Sequence, residues 1–343
     1  MAYRIAINGY GRIGRCILRA FYEATNLEAS SYSGLRLVAV NDLADINTLA
    51  HLTRYDSTHG RFLGSVECGE NQLLVNGDAI AVTQQENLSR LSWQEAEVDL
   101  VMECSGTFTS RALAQQHIER GAKRVLFSQP AESDVDATLV YGVNHESLTA
   151  DATIISNASC TTNCIVPVLK ALDDSFTIES GVITTIHSAM NDQPVIDSYH
   201  NADLRKTRSA MQSIIPVDTE LARGIERILP NPQGLLQAQA IRVPTVNVSA
   251  MDLTVTVAKE ASVDEINDAI VAYSKSLPPN VLGLSVEPLA SCDYNHDPRS
   301  AIVDLNQTRV APNKLVKLLV WFDNEWAYAN RMLDVALHLS KLN

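Results

Sequence analysis

Through the first half of the chain, short apolar runs alternate with amphipathic ones. Tyr3-Arg4-Ile5-Ala6-Ile7-Asn8 predicts a buried strand, and a helix follows from about Arg15 to Glu23. Further strands are predicted over 35–40, 98–104, 124–127, 138–141 and 153–155, with a helix over 112–120. Strand and helix in alternation predict an α/β domain, a doubly wound parallel sheet of Rossmann type. From Ser159 the pattern changes. Longer β-rich runs (180–186, 240–243, 251–257, 315–322) flank amphipathic helices over 164–172 and 263–274. This predicts an α+β domain, a mixed or antiparallel sheet with helices on one face. The expected division is 1–158 and 159–324, with the C-terminal helix 325–343 returning to the first domain. Between His187 and Thr219 there is little periodicity, and such long irregular stretches are usually functional or lie at interfaces.

Composition narrows the function classes. A chain of 343 residues with 46% apolar residues suits two cores, and there is no repeat or low-complexity tract. Net charge of −13 argues against nucleic acid or an anionic membrane as partner. No apolar run reaches the roughly 18 residues of a membrane span, and no signal peptide is expected. Six cysteines in a chain of this length suggest reduced thiols in a cytoplasmic protein. Their spacing does not suggest zinc, so no metal is expected.

Gly9-Tyr10-Gly11-Arg12-Ile13-Gly14 lies between a predicted strand and a predicted helix, the context a dinucleotide motif requires. Gly9 allows the tight turn, Gly11 lets the backbone approach a pyrophosphate, and Gly14 lets helix and strand pack closely. The second strand ends at Asn41-Asp42. An acid there accepts from ribose hydroxyls and repels a 2′-phosphate, so the cofactor is read as NAD. The separation of Gly14 from Asp42 is longer than usual, and a loop insertion over 29–34 absorbs the difference. Ser105-Gly106-Thr107 and Ser128 follow strands whose C-terminal ends border a ligand crevice in such sheets.

The strand over 153–155 runs into Ser156-Asn157-Ala158-Ser159-Cys160-Thr161-Thr162-Asn163-Cys164, and a helix follows. A thiol at a helix N-terminus has its thiolate stabilised, which predicts a lowered pKa for Cys160. The strand over 180–186 ends at His187, a candidate base. The bland alternative is a buried structural cysteine.

These stretches together resemble the glyceraldehyde-3-phosphate dehydrogenase family over essentially the whole chain. The match includes Asn8 to Arg15, Tyr55 to Phe62, Arg242-Val243-Pro244-Thr245, Trp321 to Trp326 and the signature around Cys160. The separation 187 − 160 = 27 is that of the family's Cys–His pair. The resemblance implies that Cys160 attacks an aldehyde and that His187 takes the proton as hydride passes to NAD. It also implies that Asn324 holds the nicotinamide amide and that Arg242 binds substrate phosphate. Ser159, Thr161, Thr219 and Arg205, the last within the basic cluster 205–208, are further substrate-binding candidates. A phosphorylated aldose substrate and a homotetramer are implied as well.

There are departures from the phosphorylating enzyme. Its threonines correspond here to Met190 and Asp192, and the glycine expected after Thr219 is Glu220. Met190 donates no hydrogen bond, and an ionised Asp192 is expected to repel phosphate. His187 to Met190, Asp192 to His200 and Asp293 to Pro298 resemble the erythrose-4-phosphate dehydrogenase branch. That branch implies oxidation of D-erythrose 4-phosphate to 4-phospho-D-erythronate, with water cleaving the thioester and the product feeding pyridoxal 5′-phosphate synthesis. The alternatives are a glycolytic phosphorylating dehydrogenase and, more distantly, an NAD-binding redox sensor. Cys164 is expected to pack against the core, and His51, His117, His145, His200 and His338 to be surface or structural. His296 marks the branch without a derivable role.

Overall fold

The structure is a computed structural model describing residues 2–25, 32–200, 203–231 and 233–342. The chain forms two compact units, Met1–Ser159 with Tyr328–Asn343, and Cys160–Ala327.

The first unit is built on a nine-stranded sheet. Its strands Leu100–Glu103, Arg124–Phe127 and Ile154–Ser156 are buried at every residue, as expected where helices cover both faces of a parallel sheet. Tyr3–Asn8 lies between Leu35–Asn41 and Leu100–Glu103, parallel to both. The sheet also has an antiparallel edge, Val66–Gly69, Gln72–Val75 and Asp78–Thr83, beyond the expected pattern. The missed signal was Asn76-Gly77, both at positive φ, the chemistry of a two-residue hairpin turn. The first helix, Arg12–Thr25, starts three residues before the expected Arg15. The expected strand over 138–141 shrinks to Ala137–Thr138. Of the loop expected over 29–34, residues 29–31 lie outside the described residues.

Under the C-terminal edge of this sheet runs a buried polar chain. Trp93 Nε1 can only donate, and it donates to His117 Nδ1 at 2.9 Å. His117 therefore carries its proton on Nε2, facing Glu103 Oε2 at 3.0 Å. Glu103 also accepts from Asn8 Nδ2 at 2.6 Å and from the Ser105 amide at 2.8 Å. The strand end before Gly9 and the loop at Ser105 are thus tied to one buried carboxylate.

The second unit has an eight-stranded mixed sheet. Ile178–His187 sits between Leu236–Arg242, parallel to it, and Ser249–Val257, antiparallel. Leu315–Phe322 pairs antiparallel with Ser249–Val257. Burial alternates along these two antiparallel partners, the mark of a sheet with one face on a core. Helices Cys160–Phe176 and Val263–Ser276 pack against each other, and the first also packs against the sheet. The second helix starts with a reciprocal cap. Ser262 Oγ accepts from the Glu265 amide, and the Glu265 carboxylate accepts from the Ser262 amide. Among the described residues, the irregular stretch after His187 contains the 3-10 turn Leu204–Thr207 and the short strand Ile215–Val217.

One carboxylate in the first unit makes acid stability testable. Asp136 is partly desolvated, which raises its pKa. Hydrogen bonds from the Ile154 and Thr153 amides and from Arg111 outweigh this and lower it to about 2. The stability it contributes is present above its unfolded value near 4 and is lost as pH falls through about 2. Asp136→Asn should lower the melting temperature by a few degrees at pH 7, and the difference should close near pH 2. A difference independent of pH would show that the ionised carboxylate is not the source.

Candidate active site

Four neighbouring strands of the second unit end at one edge of the sheet, and each delivers a polar group there. Leu236–Arg242 ends in Arg242, Ile178–His187 in His187, Ser249–Val257 begins with Ser249, and Leu315–Phe322 leads into Asn324. His187 and Arg242 are register partners, and so are Ser249 and Phe322. Cys160 opens the helix Cys160–Phe176, which follows a turn with Ala158 at φ +52. Such left-handed geometry is uncommon for alanine and is held here within the first unit. Tyr328 Oη donates to the Ala158 carbonyl at 2.9 Å, and the Ala158 amide donates to Ser156 Oγ at 3.1 Å.

Cys160 Sγ and His187 Nε2 are 3.9 Å apart. His187 Nδ1 lies 2.8 Å from the Ser188 carbonyl oxygen, an acceptor only, so Nδ1 holds the proton and Nε2 presents a lone pair to the thiol. Burial of His187, with the adjacent Arg242 charge, lowers its pKa to about 4. The lowered pKa expected for Cys160 is not found. Burial pushes the thiol up to about 11, against the lowering effects of the Arg242 charge and the Thr161 and Cys160 amides. Cys160 is only partly buried, yet desolvation outweighs the helix end because the dipole contributes only about 0.3–2 kcal/mol. Desolvation thus favours thiol and neutral imidazole, while the Arg242 charge and the Thr161 and Cys160 amides favour the thiolate.

Arg242 is half-buried, and its Nε and Nη1 have no partner among the described residues, nor do Gln193 Nε2 and Thr245 Oγ1. A guanidinium with buried unmet donors suits an anion. Asp192 is ionised but paired. Burial raises its pKa, while Lys206 at 2.8 Å and the Arg242 charge lower it further. The repulsion expected from Asp192 is therefore offset by Lys206, a member of the basic cluster 205–208. Arg205 is exposed on the 3-10 turn, and its side chain has no polar partner among the described residues. Met190 is 44% exposed and offers no donor. Thr219 Oγ1 accepts from the Leu221 amide at 3.2 Å, just before the helix Leu221–Glu226. Glu220 turns outward to Arg223 at 2.9 Å, an exposed pair that dilutes the charge expected at a phosphate pocket. Cys164 is fully buried, as expected for a packing residue.

Two family models match. Residues 3–111 match that described as glyceraldehyde 3-phosphate dehydrogenase, NAD binding domain, and residues 159–324 match that described as its C-terminal domain. The chain belongs to the glyceraldehyde 3-phosphate dehydrogenase family. It is an NAD-dependent oxidoreductase. Among the described residues no helix is long and apolar enough to cross a membrane.

The first unit of this dehydrogenase fits the dinucleotide at its glycines. Gly9 has φ +89, and a Cβ there would lie 2.4 Å from the Ser105 nitrogen. A Cβ on Gly14 would lie 2.4 Å from the Gly9 oxygen, whereas one on Gly11 would meet nothing within 4 Å. The turn is therefore closed on its protein side and open over Gly11, as approach of a pyrophosphate requires. Arg12 and Ile13 open the helix Arg12–Thr25, whose positive dipole end favours an anion. The Arg12 guanidinium itself is engaged by Asp56, whose carboxyl it helps hold well below the usual range. Asp42 accepts from the Tyr10 amide at 2.7 Å and the Ala44 amide at 3.0 Å, which fixes the acid beside the glycine turn. The Ser128 hydroxyl engages the Cys104 thiol, which burial pushes far up.

A thiol raised to about 11 is scarcely ionised near neutrality. Alkylation of Cys160 by iodoacetamide should therefore climb steadily from pH 6 to pH 9. A plateau beginning at pH 6 would mean that a thiolate–imidazolium pair forms at rest and that its mutual attraction overrides burial.

Proposed function

We propose that this enzyme oxidises D-erythrose 4-phosphate to 4-phospho-D-erythronate without inorganic phosphate. The observation that carries this reading is Met190, three residues after His187, where the phosphorylating enzyme has a hydroxyl donor for the three-carbon substrate's phosphate. Cys160 attacks the aldehyde carbon while its proton passes to His187 Nε2. The helix-start amides of Cys160 and Thr161 stabilise the oxyanion of the hemithioacetal. His187 returns that proton to the oxyanion, giving the hemithioacetal hydroxyl, and takes it back as hydride leaves. NAD, when bound, supplies the hydride acceptor, and Asn324 holds its carboxamide. Arg242, with Lys206 nearby, takes the substrate's phosphate. Water cleaves the thioester, returning Cys160 as the thiol and releasing the acid, a product suited to pyridoxal 5′-phosphate synthesis. The retained Thr219 and the paired Asp192 keep the phosphorylating, glycolytic reading in competition. A redox sensor needs none of His187, Asn324 and Arg242.

Self-association into a homotetramer is part of the proposal. Val195, Ile196, Tyr199 (87%), Leu204 (85%) and Ile214 of the irregular segment are exposed in the single chain, apolar surface suited to a second copy. All six cysteines are free, which suits a reducing cytoplasm.

NADH formation at 340 nm should be faster with erythrose 4-phosphate than with glyceraldehyde 3-phosphate and should not require phosphate. A strict phosphate requirement with glyceraldehyde 3-phosphate would return the enzyme to the phosphorylating class. Cys160→Ser should abolish turnover yet bind NAD, and His187→Asn should slow hydride transfer by roughly 10²–10⁴. Met190→Thr should lower KM for glyceraldehyde 3-phosphate about three- to tenfold by restoring one donor to a charged group, and an unchanged KM would count against the role given to Met190. Sedimentation should give the mass of four chains, and Ile196→Asp with Leu204→Asp should give smaller species.

A further inference from the structure

Two serines at the active-site edge have no part in the chemistry above, yet both converge on Asn324. Ser188 and Ser249 are fully buried, and Asn324 is nearly so. Ser188 Oγ and Ser249 Oγ each lie 2.9 Å from Asn324 Oδ1. The Ser188 amide donates to Ser249 Oγ at 3.1 Å, which leaves the Ser249 proton for Asn324. The reverse amide orientation would aim the Asn324 NH₂ at both hydroxyls and leave the Ser249 proton only Ser188 Oγ, 3.5 Å away, in place of a 2.9 Å acceptor.

We propose that Ser188 and Ser249 form a hydroxyl clamp that fixes the Asn324 carboxamide with its oxygen inward, so that only Nδ2 is offered to the cofactor's carboxamide. The proposal rests on the assignment of Asn324 to the nicotinamide. With both Oδ1 lone pairs occupied, Asn324 is a pure donor and selects the carbonyl oxygen of a pyridine carboxamide over its NH₂. The backbone around the clamp is fixed as well. The buried Asp323 carboxylate accepts from Asn247 Nδ2 at 2.8 Å and from the amides of His296 (2.7 Å), Glu325 (2.9 Å) and Trp326 (2.8 Å). Ser188 serves the base too, because its carbonyl oxygen takes the His187 Nδ1 proton. One residue thus sets the donor face of Asn324 through its side chain and the tautomer of His187 through its backbone. Both serines are positioning residues.

The test compares calorimetric binding of NAD with that of ADP-ribose, which lacks the nicotinamide, across the wild type, Ser188→Ala, Ser249→Ala and Asn324→Ala. Each serine variant should weaken NAD about three- to tenfold, the range of one lost hydrogen bond, while ADP-ribose stays within about twofold. Asn324→Ala should show at least as large a selective loss. A normal NAD to ADP-ribose ratio in both serine variants, beside a changed ratio in Asn324→Ala, would overturn the clamp alone. An unchanged ratio in Asn324→Ala would overturn the nicotinamide assignment and the clamp with it. Equal weakening of both ligands by the serine variants would show general damage and also overturn the clamp. The alkylation profile of Cys160 should be the same in Ser188→Ala as in wild type, since the Ser188 carbonyl is retained.

Discussion

The catalytic unit depends on strand register. Arg242, His187, Ser249 and Asn324 meet because four neighbouring strands finish or start at the same edge in a fixed alignment. Side chains alternate along a strand, so a slip of one residue would turn His187 to the opposite face and separate it from Arg242 and Cys160. The buried alternation of Ser249–Val257 and Leu315–Phe322 against the core holds that register. The site is thus paid for by ordinary apolar packing in the sheet, and no single active-site contact carries its placement.

Within that frame, desolvation is the dominant electrostatic effect. It keeps Cys160 protonated and His187 neutral, and Arg242 acts on both in the same sense, favouring thiolate and disfavouring imidazolium. Desolvation therefore favours uncharged forms of Cys160 and His187, the proposed nucleophile and base. A neutral base with a fixed tautomer is ready to accept a proton at one atom. The Ser188 carbonyl provides that fixation on one side, and the Ser188 hydroxyl extends the same buried network to Asn324.

The nucleotide-binding unit uses a different device. There the constraint is close backbone approach, at Gly9 against Ser105 and at Gly14 against Gly9. Beneath it, Glu103 gathers the end of the first strand and the loop after its neighbour onto one carboxylate. His117 is part of this anchor rather than a surface residue, and Trp93 decides its tautomer.

Much of this was legible in the sequence, because local pattern reports local physics. Apolar runs marked the central strands, the glycine spacing marked the turn, and Cys160 before an amphipathic run marked a helix start. The family follows from motifs that stay contiguous along the chain. The tertiary structure alone decided the ionisation of Cys160 and His187, because burial depends on neighbours distant in sequence. It decided that Lys206 pairs with Asp192 while Arg205 stays exposed, since a turn fixes which of two adjacent cations faces inward. It also decided that Ser188 and Ser249, 61 residues apart, share one amide oxygen of Asn324. Periodicity carries no trace of such a meeting, because strand pairing across the sheet brings it about.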